Sequence, residues 1–121
     1  MGFLRRLLSK DEHRQAGDES VVEVKAAQVQ AAIEGGEAPV LVDVREAWEW
    51  MSGHIEGAIH IPMGQLPARM DELSREDELV IYCHTGQRSW YAAAYLQGQG
   101  YTHVASLAGG INAWERQRRR G

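Results

Sequence analysis

Residues 78–100 read ELVIYCHTGQRSWYAAAYLQGQG. An apolar run, ELVIYC, carries no alternation of polar residues, the pattern of a strand covered on both faces. It stops at Cys83, the chain's single cysteine. The loop CHTGQR follows, and then an alanine-rich segment closed by Gly98 and Gly100, which predicts a helix. A strand, a short loop and a helix in that order define one half of a βαβ unit.

The same alternation extends outward in both directions. Upstream, VVEV (21–24), VLVDV (40–44) and AIHIP (58–62) read as strands. Between them, KAAQVQAAIEGG reads as a helix ended by Gly35 and Gly36, and REAWEWMSG as a short helix stopped at Gly53. PARMDELS is a weakly amphipathic helix. Downstream, HVASLAGG holds a last strand and INAWERQRRR a last helix. Strands alternating with helices predict an α/β fold, a parallel sheet with helices on both faces. In such a sheet, ligands sit outside the carboxyl ends of the strands, which is where Cys83 falls.

At 121 residues the chain is expected to form one domain, large enough to bury a core without metal or disulfide staples. One cysteine excludes an internal disulfide, a zinc ribbon and a CxxC redox pair. No metal site is expected. Net charge is −4, unevenly placed: residues 15–115 hold fifteen acidic side chains against five Lys or Arg. An acidic body of this kind is not built for nucleic acid. No run approaches the ~20 apolar residues of a membrane span, and MGFLRRLLSK is too short for a signal peptide. We therefore expect a cytoplasmic monomer with no membrane partner. Residues 1–20, polar and aperiodic over SKDEHRQAGDES, are expected to be a flexible leader. The domain proper is expected over 21–117, with 118–121 a basic tail.

The segment Cys83–Ser89 is C-x-x-G-x-R-S. The thiolate, not the thiol, is the nucleophile. A helix N-terminus worth about 2 kcal/mol would lower a thiol pKa from about 8.5 to roughly 7. Turn amides and the cation of Arg88 would lower it further. Gly86 permits the positive φ that lets a loop curl around the sulfur. The expected site is an anion nest formed by His84, Thr85, Gly86, Gln87 and Arg88 around Cys83. Ser89 and Trp90 follow, with Ser89, Ala92, Ala93 and Leu96 on the buried face of the helix and Trp90 directed elsewhere, with packing against a neighbouring loop favoured over a place on the rim.

At these residues the chain resembles the rhodanese (sulfurtransferase) family. LVDVREAWEWMSGHIEGAIHIP (41–62), VIYCHTGQRS (80–89) and GYTHVASLAGGINAWE (100–115) are similar to three ordered family signatures. The resemblance implies an open five-stranded parallel sheet flanked by helices. It also implies ping-pong transfer of a sulfane sulfur through a persulfide on Cys83. The donor would be thiosulfate or a persulfide, the acceptor cyanide, a small thiol or a protein thiol, with the loop amides holding the outer sulfur. Cysteine phosphatases of similar fold use C-x5-R, a wider cradle for a tetrahedral oxyanion, whereas Cys83 and Arg88 are spaced C-x4-R. Sulfur transfer is favoured over phosphatase or arsenate reductase chemistry, and over a non-catalytic binding module. The resemblance implies no metal or organic cofactor, and an extra Arg or Lys in the loop of many thiosulfate-using members, where this chain has His84, Thr85 and Gln87. Asp43, Arg45, Glu49 and His54 fall in a signature but are expected to be structural, with Arg45 pairing Glu49 four residues on. Asp43 is placed near the cradle floor.

Overall fold

The computed structural model describes residues 2–9 and 20–120. Eleven elements follow in order: α1 (Phe3–Ser9), β1 (Val22–Val24), α2 (Ala26–Glu34), β2 (Val40–Asp43), α3 (Ala47–Met51), β3 (Ile59–His60), α4 (Leu66–Arg69), β4 (Leu79–Tyr82), α5 (Gln87–Gly98), β5 (Val104–Leu107) and α6 (Gly110–Arg120). Short 3-10 turns, Met63–Gln65 and Met70–Glu72, flank α4. The five strands form one all-parallel sheet in the order β1-β5-β4-β2-β3.

Period-two alternation along the strands sorts the core into two layers. Val80 and Tyr82 face one side, packing with Leu41, Ala105 and Leu107 against Ala26 and Val29 of α2 and Ile111 and Trp114 of α6. Leu79, Ile81 and Cys83 face the other, against Ala92, Ala93 and Leu96 of α5 and Leu66 and Leu73 around α4. The same alternation that buries Leu79 and Ile81 therefore aims the Cys83 side chain at α5.

β4 is central, and the chain leaves its two central neighbours in opposite directions. β2 leads through α3 outward to β3, while β4 leads through α5 to β5 on the other side. That direction reverses at the carboxyl ends of β2 and β4, the place where a sheet of this kind seats its ligand.

Two expectations about the ends need correction. Residues 3–9 are not a flexible leader. Phe3 and Leu4 are buried in the α2/α6 layer with Leu7 packed beside them. The Glu78 carboxylate accepts the Leu4 N–H at 2.9 Å and the Arg5 N–H at 3.1 Å, standing in for a cap at the first turn. Arg6 forks onto Glu37 at 2.6 and 2.7 Å. A polar count over residues 1–20 hides this because the anchoring partners lie 31 residues away (Glu37) and 73–74 residues away (Glu78). Residues 10–19 lie outside the described residues. At the other end α6 runs to Arg120, so Arg118, Arg119 and Arg120 form its last turn, where cations suit the helix dipole.

Leu4 has no exposed surface. Leu4→Ala should lower the unfolding free energy by about 2 kcal/mol, read from urea denaturation. An unchanged midpoint would show that α1 does not dock.

Candidate active site

β4 ends at Tyr82, and Cys83, His84 and Thr85 carry the chain to Gly86. Gly86 caps α5 with φ 107°, a left-handed conformation that an L side chain enters only with strain. Two backbone N–H groups converge on the sulfur: Gly86 at 3.1 Å and Ser89 at 3.3 Å from Sγ. The Cys83 thiol lies 3.5 Å from Ser89 Oγ, to which it donates. In the ionised form that bond reverses. Cys83 is 1% exposed. Burial pushes its pKa up, but the Ser89 hydroxyl and the amides of Ser89, Gly86 and Thr85 outweigh burial and hold it below the ordinary thiol value. The amides of Gln87 and Arg88, first and second in α5, have no partner among the described residues and remain open to an incoming anion.

The start of α6 clamps the loop from behind. The N–H groups of Ile111 and Asn112 donate to the carbonyls of Cys83 (2.9 Å) and His84 (3.1 Å). Gly110 makes the approach possible, since a Cβ there would overlap both carbonyl oxygens. The Gly-Gly at 109–110, which in the sequence stands only as part of a family signature, is thus part of the cradle.

Arg88 does not point freely at the sulfur. Its guanidinium forks onto Glu49 of α3, NH1 to Oε1 and NH2 to Oε2, both at 2.8 Å. Glu49 Oε1 also accepts the Glu46 N–H at 2.9 Å, which fixes the carboxylate at the head of α3. This ion pair links α3, which follows β2, to α5, which follows β4. Arg88 holds the Glu49 carboxyl down to a pKa of about 2, with burial opposing and the Glu46 amide assisting. Arg88 is itself raised, first by Glu49 and to a smaller degree by the charge of Cys83.

The expected Arg45–Glu49 pair does not form. Arg45 instead binds Asp43, with Nε at 3.1 Å from both carboxylate oxygens and NH2 at 2.8 Å from Oδ2, and donates to the Gly53 carbonyl at 2.7 Å. Asp43 is fully buried and makes no hydrogen bond to the loop among the described residues. It and Arg45 stiffen the end of β2, and the Arg45 guanidinium lies 5.7 Å from the Tyr82 ring centroid. The His54 ring nitrogen Nδ1 sits 3.1 Å from the Trp50 carbonyl, the turn contact the sequence suggests. Ser89, Ala92, Ala93 and Leu96 are buried as the helical spacing predicts. Trp90 is packed rather than on the rim, as favoured: it is half-buried against the core, edge-on to Tyr91 at 5.2 Å. Tyr91 is the exposed aromatic, at 60%. His84, Thr85 and Gln87 are exposed on the loop.

A lone sulfur is thus held in an amide nest at a helix N-terminus, at the carboxyl edge of a parallel sheet. The Rhodanese-like domain family model matches residues 25–117, and the chain belongs to that family. A sulfurtransferase of Allochromatium vinosum is 41% identical over 96 residues, covering 79% of this chain and 90% of its own length. A putative sulfur carrier protein of Bacillus subtilis is 35% identical over 113 residues, 93% of this chain, which spans only 61% of that longer relative. The crystal structure of a rhodanese-related protein from Thermoplasma volcanium superposes with a TM-score of 0.73 at 29% identity, covering 79% of this chain and 92% of that one. The chain is a rhodanese-type sulfurtransferase. No described helix is long and apolar enough to cross a membrane.

The Glu49–Arg88 pair should show in acid stability. The folded carboxyl titrates at about 2 against an ordinary 4.5, so its folded pKa lies below its unfolded one. Its contribution is complete above about pH 5 and is lost as pH falls toward 2. The stability difference between wild type and Glu49→Gln should shrink over that window. A difference constant from pH 7 to pH 2 would contradict the ion pair.

Proposed function

We propose that Cys83 is the sulfur carrier. Its thiolate attacks the outer sulfur of a donor, the bond from that sulfur to the donor breaks, and the donor departs with the bonding electron pair: sulfite from thiosulfate, or a thiolate from a persulfide. Cys83 then bears a persulfide. The thiolate of a small molecule or protein, or cyanide, attacks the outer sulfur and releases the Cys83 thiolate. Atoms and electrons balance without an external oxidant or cofactor. The observation that carries this reading is the convergence of the Gly86 and Ser89 amides and the Ser89 hydroxyl on Sγ. The open amides of Gln87 and Arg88 would receive the outer sulfur. The protein would act as a monomer in the reducing cytoplasm, where an unpaired thiol persists.

Charge supports a persulfide over thiosulfate as the preferred donor. Arg88 is the one cation within the loop, and its fork is occupied by Glu49. A dianion therefore meets a cradle close to neutral, whereas a persulfide brings at most one charge.

Mass spectrometry after thiosulfate or alkyl persulfide treatment should show the gain of one sulfur, removable by cyanide and absent in Cys83→Ser. Turnover of an aryl phosphate with no sulfur gain would instead mark a phosphatase, and inertness toward both would mark a binding module.

Glu49→Gln removes one negative charge facing the donor. It should lower the Michaelis constant for thiosulfate about fivefold, as roughly 1 kcal/mol per charge at a partly exposed site implies. A constant that is already in the low micromolar range in the wild type, or that rises in the variant, would sink the charge argument.

A further inference from the structure

Behind the Cys83 sulfur lies a pair of buried hydroxyls, Ser89 of α5 and Ser106 of β5, 2.8 Å apart. We propose that Ser106 is a positioning residue: its hydroxyl donates to Ser89 Oγ and so commits the Ser89 proton to the Cys83 sulfur. The inference rests on Cys83 being the reactive group of the site.

Counting protons fixes the direction. A serine hydroxyl has one proton to give and two lone pairs. Ser106 is 1% exposed, and Ser89 is the only partner of its hydroxyl among the described residues. A buried hydroxyl proton left without an acceptor costs about 1–3 kcal/mol, so Ser106 donates and Ser89 accepts. Ser89 must then spend its own proton elsewhere. Two acceptors lie within reach, Cys83 Sγ at 3.5 Å and the Gly86 carbonyl at 3.2 Å. The Gly86 carbonyl already accepts the Trp90 N–H at 3.2 Å, so it has the weaker need. A thiolate, which can only accept, takes the Ser89 proton, and the bond is strengthened because Ser89 is itself receiving one. When the sulfur is loaded and its charge moves outward, the Ser89 proton can swing to Gly86 without leaving its oxygen. No proton is transferred in either state; only the hydroxyl rotates.

The sequence offered no sign of this. Ser106 sits in VASL, a fully buried strand, where a serine reads as a small core residue. Only the register of β5 beside β4, Ile81 against Ser106, brings it behind the loop. The charged and titratable groups near the sulfur are His84 and Arg88, with Glu49 behind Arg88. β5 brings none, so changing Ser106 leaves them untouched.

The test is the pH profile of Cys83 alkylation by iodoacetamide, which needs no sulfur donor and so separates failure of this inference from failure of sulfur transfer. Ser106→Ala should alkylate about threefold more slowly at pH 7 and at the wild-type rate where the thiol is fully ionised. Ser106→Thr, which returns the hydroxyl on a side chain suited to a strand, should restore the wild-type profile. In a Ser89→Ala background, Ser106→Ala should change nothing. Thermal midpoints of each variant report folding separately. A wild-type profile in Ser106→Ala, a Ser106→Thr profile that matches Ser106→Ala, or additive shifts in the double variant would each overturn the proposal.

Discussion

A sulfur buried to 1% exposure is a poor place for a negative charge, and the carboxyl edge of this sheet is arranged around that difficulty. Desolvation alone would keep Cys83 protonated. Two main-chain amides and one hydroxyl oppose it from within 3.5 Å. Each of those groups depends on something further away. The Gly86 amide can turn inward only at a positive φ. The Ser89 amide is aimed by the first turn of α5, which begins immediately after that glycine. The loop carbonyls of Cys83 and His84 are held back by the N–H groups of Ile111 and Asn112, and that requires Gly110 to lie against them with no Cβ. The strand, the loop and two helices thus share one constraint, that donors face the sulfur and acceptors face away.

The second tie is electrostatic and runs across the sheet. α3 and α5 follow adjacent strands, and the fork of Arg88 onto Glu49 ties one to the other, with Glu49 anchored by the Glu46 amide. The Glu49 side chain is only 11% exposed and that of Arg88 39%. The pair is therefore better shielded than an ordinary surface bridge, though not deeply buried. Its cost is that the loop's one cation is largely spent on structure.

Most of this architecture could be read from one chain because its signals are local. Continuous apolar runs marked β2 and β4, glycines marked helix ends, and the helical spacing placed Ser89, Ala92, Ala93 and Leu96 on the buried face before any coordinates. What failed was non-local. Glu49 sits four residues from Arg45, and helix spacing pairs them. Yet Arg45 precedes the helix and turns back onto Asp43 two residues upstream, leaving Glu49 to meet Arg88 thirty-nine residues away. Residues 3–9 looked like a leader because Glu37 and Glu78, which hold them, are distant in sequence. The offset of Trp90 from the buried stripe leaves both packing and the rim open to it; the large ring half-covers itself against the core, and Tyr91 takes the exposed position.

Loop length and charge point the same way on chemistry. A phosphoryl group bound at such a loop needs several amides and a free guanidinium fork to share the charge of its oxygens. Here two amides are already engaged by Sγ, and the NH1/NH2 edge of Arg88 is engaged by Glu49. What remains open are the amides of Gln87 and Arg88, enough for one additional atom bearing a single diffuse charge. The terminal sulfur of the proposed persulfide would be such an atom: it is large, polarisable and weakly hydrated, so two amides and a helix dipole could hold it, and its departure would leave the Cys83 thiolate in the same bonds it had before.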